Sequence, residues 1–95
     1  MSSYWINVQF ADGRVGKRLV TGKETKVLGV RVFTHQQGPY WVVTDYRTGY
    51  RITHSRYSRA ATLLTAHDVL ERALANGEYT RQASKLPTLN PGVMR

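Results

Sequence analysis

The sequence predicts an α+β fold: an antiparallel five-stranded meander sheet packed by one C-terminal helix, with an irregular basic tail. Three observations carry that reading. Residues 4–54 hold five short stretches of strand-type patterning separated by turn signals. At about residue 57 the apolar period changes from 2 to 3.6. Beyond Gly77 the period disappears, and Pro87 and Pro91 interrupt any ladder or helix. With 95 residues the chain makes one small domain, burying only about 60–65% of its unfolded surface. Residues 1–77 are assigned to that domain and 78–95 to the tail. Truncation beyond Tyr79 is expected to cost little stability.

The first strand is residues 4–10, where Tyr4, Ile6, Val8 and Phe10 alternate with Trp5, Asn7 and Gln9. Asp12-Gly13 is a strong hairpin signal, and residues 14–21 return as a second, polar strand. Arg14, Lys17 and Arg18 suit that strand to a sheet edge. Residues 21–24 read as a turn. Residues 26–34 are the most β-branched run and read as one strand. Residues 35–39 read as a loop, 40–46 as the fourth strand and 50–54 as the fifth. Between the last two, Arg47-Thr48-Gly49 fits a three-residue loop that pairs Tyr46 with Tyr50. The helix opens either at Ser58, with Tyr57 as a hydrophobic staple, or at Thr65, whose spacing to Asp68 approximates a capping box. Asn76-Gly77 ends either version.

Charge is the strongest functional signal. There are 14 Lys+Arg against 6 Asp+Glu, a formal net charge of +8. Most of the excess lies in residues 1–57, so the strand-rich half carries a field that attracts polyanions. No cysteine is present, which excludes disulfides, cysteine-ligated zinc and thiol chemistry. No apolar run approaches the ~20 residues of a membrane span, and no signal peptide is read at Met1. A cytoplasmic protein without membrane association is expected. His35, His54 and His67 stand apart, the carboxylates are single, and no glycine-framed nucleophile or phosphate loop occurs. No enzyme activity, catalytic residue, metal or cofactor is expected.

With one helix on one face of the sheet, the other face must meet water or a partner. Strand alternation assigns Trp5, Arg31, Trp41 and Arg51 to that face, and Arg14 and Arg18 of the polar second strand join them as candidates. Guanidinium groups pair with phosphates or guanine edges, and aromatic rings stack on bases. These six residues are the candidate binding set.

Gly29-Val30-Arg31, Trp41, Gly49, Arg51 and Ala60-Ala61 together give a local resemblance to the AP2-type DNA-binding domain over about residues 28–75. That resemblance implies a three-stranded sheet in the major groove with a helix behind it, and Arg31, Trp41 and Arg51 facing the groove. The two preceding strands have no counterpart in that family.

Two functions follow from the sequence. One is a small basic nucleic-acid-binding protein with an aromatic-basic sheet face, DNA being placed before RNA. The other is a phage- or plasmid-type accessory protein that docks on an acidic surface of a host enzyme or defence complex and inhibits it. Aromatic and arginine anchors serve both.

Overall fold

The computed structural model describes residues 2–9, 11–53 and 58–90. Its elements are β1 (Ser2–Gln9), β2 (Val15–Val27), β3 (Val30–Gln37), β4 (Tyr40–Asp45), α1 (Arg59–Ala75) and α2 (Glu78–Lys85). The strands pair antiparallel in the order β1-β2-β3-β4. The α+β class and the antiparallel meander stand. The count changes: four strands and two helices replace five strands and one helix.

The strand boundaries change first at residues 21–29. The predicted turn at 21–24 does not form, and β2 runs through it for 13 residues. The reversal comes instead at Leu28-Gly29, where both residues have positive φ, 52° and 81°. Val27 pairs with Val30 across it. Two positive φ values are what a two-residue I′ hairpin needs. Leucine is a poor residue for that conformation, so the β-branched run around it concealed the turn.

The length of β2 determines the architecture. Its first part, to Gly22, pairs with β1, and its second, from Lys23, pairs with β3. At the junction a Cβ on Gly22 would stand 2.5 Å from the Thr34 carbonyl oxygen. Glycine therefore permits the close approach where the strand changes partners. The β1–β2 hairpin folds across the face of β3–β4 that the helices leave open, here called the inner face. Tyr4 stacks on Phe33 at 4.4 Å between ring centroids, and Tyr46 meets Tyr4 edge-on at 5.8 Å. Ile6, Val8 and Val20 complete this cluster. On the opposite face Val27, Val32 and Val43 pack against Ala66 and Leu70 of α1. Both faces of the central sheet are thus buried, and the expected open face is occupied by the chain itself.

The fifth predicted strand reduces to one antiparallel bridge, Thr44 with Arg51, and an Ile52 N–H bond to the Val43 carbonyl at 2.9 Å. This register places Tyr50, not Arg51, opposite Asp45, whose N–H donates to the Tyr50 carbonyl at 2.9 Å. The loop is therefore residues 46–49, one residue longer than predicted. Asp45 holds it: its Oδ2 accepts from the Thr48 N–H at 3.1 Å and the Thr48 hydroxyl at 2.8 Å.

Of the two predicted helix starts, Ser58 is the one used. Its Oγ accepts from the Ala61 N–H at 3.1 Å, an N-cap bond. Thr65 lies inside α1 and donates its hydroxyl to the Ala61 carbonyl. Gly77, at φ 76°, ends α1 and begins α2. The irregular tail is corrected here. Residues 78–85 are helical, and the chain then returns to the sheet. Leu86 is extended, as the residue before a proline prefers. The Leu89 N–H donates to the Arg47 carbonyl at 2.6 Å. Asn90, 6% exposed, accepts from the Trp5 N–H at 2.8 Å and donates to the carbonyls of Trp5 and Tyr46 at 3.0 and 2.8 Å. Its amide acts as one residue of a neighbouring strand against the outer edge of β1. The predicted roles of Phe10, His54, Tyr57 and Pro91 lie outside the described residues. Among the described residues no helix is long and apolar enough to cross a membrane.

Candidate nucleic-acid interface

Two adjoining clefts bring together four basic side chains, Arg18, Lys23, Arg51 and Arg59. The first, about 580 Å³, opens on the inner face between β1 and residues 49–51. Arg18, His35, Thr44, Tyr50 and Arg51 line it together with Ile6 and Val8. The second, about 560 Å³, is lined by Arg18, Lys23, Gln36, Trp41 and Arg59, with His35. The two meet at Arg18 and His35. No described residue lining either cleft is acidic.

Backbone register places each of these side chains. Arg18 pairs with Ile6, so it projects to the inner face, and Gly16 opposite Val8 leaves space beside it. Arg51 opposite Thr44 shares the same face. Trp41 pairs with Gln36 on the other face of β4, beside α1, where the Thr62 hydroxyl donates to its carbonyl at 3.4 Å. Arg59 is the first residue of α1, and its Nε donates to the Thr34 hydroxyl at 2.8 Å.

His35 sits where the clefts join and is 2% exposed. Its Nε2 lies 3.2 Å from the Thr44 hydroxyl. Its Nδ1 is buried with no hydrogen-bond partner among the described residues. Burial lowers its pKa below the ordinary 6.5, opposed by contact with the Gln36 backbone and aided by the smaller effect of the Arg18 charge, and favours the neutral ring.

The six predicted binding residues separate into two groups. Arg18, Trp41 and Arg51 line the clefts. Arg31 faces the inner side but is engaged: its Nε donates to Glu24 at 2.5 Å, and its guanidinium lies 3.7 Å from the Tyr46 ring centroid. The bond to Glu24 is the main cause of its raised pKa. Arg14 pairs with Asp12 at 2.7 Å. Trp5 pairs with Leu19 on the outer face of the β1–β2 hairpin, and both are exposed. The single face of Trp5, Arg31, Trp41 and Arg51 is therefore not assembled. Arg31 and Trp41 lie on opposite faces of the sheet, so the groove-facing set implied by the AP2-type resemblance is not formed. No family model matches the chain, and no curated protein or solved structure matches it.

The sequence reading missed Lys23, His35, Tyr50 and Arg59. Lys23 was hidden in the misread turn and His35 in the misread loop. Arg59 left a signal: a cation in the first helical turn opposes the positive end of the helix dipole, and α1 has no acidic residue there to offset it. A local conflict of that kind points to a function for the side chain. For metals, His67, Asp68 and Glu71 bring donor atoms within 4.8 Å of one another on α1. All three are exposed, and exposed clusters of this sort occur commonly without an ion.

Proposed function

We propose that the protein is a small, basic, non-enzymatic nucleic-acid-binding protein that holds its ligand in the two clefts meeting at Arg18. One observation supports this above others: Arg18, Lys23, Arg51 and Arg59 surround adjoining concavities without an acidic lining residue, beside Trp41 and Tyr50. Three of the six acidic side chains are engaged, while Asp45 and Glu78 line a third cleft, about 570 Å³, that Tyr50 and Arg51 also border. Asp12 holds Arg14, Glu24 holds Arg31, and Asp45 holds the Thr48 loop and the Tyr79 hydroxyl. Cations placed this way neutralise phosphates and release counterions, and the rings supply stacking surfaces.

The test is a titration of labelled DNA and RNA, single- and double-stranded, at low and physiological salt. Binding with a steep negative dependence on log[salt] is expected. Affinity no better than about 10⁻⁴–10⁻⁶ M for every ligand at physiological salt overturns the reading.

A second reading has its own observation. Trp5 and Leu19 are paired on the outer hairpin face and are 42% and 51% exposed. Exposed aromatic anchors suit protein docking. On this reading the chain is a phage- or plasmid-type accessory protein that docks on an acidic surface of a host enzyme or defence complex and inhibits it. Trp5→Ala would then abolish activity while leaving nucleic-acid titrations unchanged.

A further inference from the structure

We infer that the second cleft is an anion pocket that takes one phosphate group between Arg18, Lys23 and Arg59; this rests on the nucleic-acid reading above, whose ligand it anchors. The first ground is a fork in the sheet. The last β3 partner of β2 is Thr34, opposite Lys23, whereas β3 runs on beside β4 to Gln37. Residues 35–37 therefore have an edge that β2 has left. The Tyr46 N–H bonds the Arg31 carbonyl at 3.0 Å, so the backbone groups of odd residues in β3 point to β4 and those of even residues point to the β2 side. Gln36 lines the cleft, and its backbone N–H accordingly points into the fork. Lys23 and Thr34 pair on the α1 side, where the Arg59 Nε meets the Thr34 hydroxyl at 2.8 Å. Arg18 lines the same cleft from the inner side.

The second ground is charge. Arg18 and Lys23 are exposed, and among the described residues neither has a carboxylate partner. Arg59 bonds a neutral hydroxyl through Nε, and its terminal guanidinium nitrogens remain to donate to a ligand. Cations from three separate points of the chain thus line one cleft that has no acidic lining residue. A bound anion relieves their mutual repulsion. Phosphate suits this arrangement better than a carboxylate does. Its oxygens are tetrahedral and meet donors arriving from several sides, and a phosphomonoester carries about −1.5 to −2 charge at pH 7. A carboxylate carries a single negative charge and accepts near its own plane.

The experiment follows the backbone amide NMR signals of the full chain while inorganic phosphate is titrated at constant pH and ionic strength, with acetate in a parallel series. Phosphate is expected to give saturable shifts confined to residues 18–23, 34–36 and 59, with an affinity about ten-fold above that of acetate. Lys23→Ala and Arg59→Ala are each expected to weaken phosphate binding about ten-fold. Lys26→Ala, an equal change of net charge outside the cleft, should leave it unchanged. Lys23→Ala removes an exposed side chain and should melt like wild type, so it decides the matter if Arg59→Ala fails to fold. Shifts spread over the exposed cations generally, equal affinity for acetate, or wild-type phosphate binding in Lys23→Ala overturns the inference. A labelled oligonucleotide titrated into the same samples separates the two readings. Nucleic acid that binds where phosphate does not overturns the pocket and leaves the nucleic-acid reading standing. Phosphate that binds where no nucleic acid does overturns that reading and leaves the pocket to a free phosphate compound.

Discussion

Thr44 stands opposite Arg51 in an antiparallel bridge across the reversal that follows β4. This pairing places Arg51 on the His35 side of the sheet. A pairing one residue displaced, Tyr46 with Tyr50, would have placed it beside Trp41, because a slip of one residue exchanges the faces. The consequence is a division of labour among the arginines. Arg18 and Arg51 line the inner cleft, while Arg31 bonds Glu24 and covers Tyr46. Arg18→Ala and Arg51→Ala are each expected to weaken nucleic-acid binding. Arg31→Ala is expected to leave binding within about two-fold and to lower stability by roughly 1 kcal/mol, the scale of one partly exposed ion pair and cation–π contact. Parallel titrations and thermal melts of the three variants check this.

The tail is structural. Asn90→Ala removes three hydrogen bonds to the backbone at Trp5 and Tyr46 and is expected to cost roughly 1–3 kcal/mol. For a domain of this size that lowers the melting temperature by about 4–8 °C per kcal/mol. Truncation after Lys85 should cost at least as much, since it also removes the Leu89 N–H bond to Arg47. A truncated chain melting like the full one would show that the strap over β1 contributes nothing.

Acid should weaken the fold through His35. Its folded pKa is lowered from 6.5, so below about pH 6.5 the unfolded chain binds a proton that the folded chain refuses. Unfolded protein then holds more protons, and stability falls as pH falls. Above that pH both states are neutral at this residue, and its contribution is flat. Melts from pH 8 to about pH 5 should show a plateau and then a decline that His35→Gln makes shallower. A His35→Gln curve parallel to wild type throughout would contradict the assignment.

Gly22→Ala tests the bend in β2. The added methyl would meet the Thr34 carbonyl oxygen at 2.5 Å, backbone that cannot yield without disturbing the β2–β3 ladder. A loss of about 1–3 kcal/mol is expected from such overpacking, measured by denaturant titration.

Much of the fold was legible locally. The alternation of Tyr4, Ile6 and Val8, the Asp12-Gly13 reversal and the Asn76-Gly77 stop are each set by neighbouring residues and were found in the sequence, and the Ser58 cap was one of the two helix starts it offered. Features fixed by distant contacts were not. Leu28 takes a positive φ because Val27 and Val30 pair across it. The second sheet face is closed by β1, a decision made at Gly22 by its approach to Thr34. In the tail, the short helical period of residues 78–85, with Tyr79 packed on the core and bonded to Asp45, was overlooked, and the chain beyond it is held by Asn90 meeting Trp5, 85 residues away. For the site, the residue types were legible and their grouping was not. Arg18, Trp41 and Arg51 were named from the sequence, yet which of them share a surface depended on one residue of register.

Salt dependence tests the placement of the ligand most directly. Binding of a single-stranded DNA would be measured at several salt concentrations for wild type and for the double variant Arg18→Ala/Arg51→Ala. Each phosphate contact on a single strand contributes about 0.7 to the slope of log K against log[salt]. The double variant is expected to bind more weakly, with a slope shallower by about 1.4 and a melting temperature close to wild type. Wild-type affinity and slope in the folded double variant would contradict a ligand held at Arg18 and Arg51.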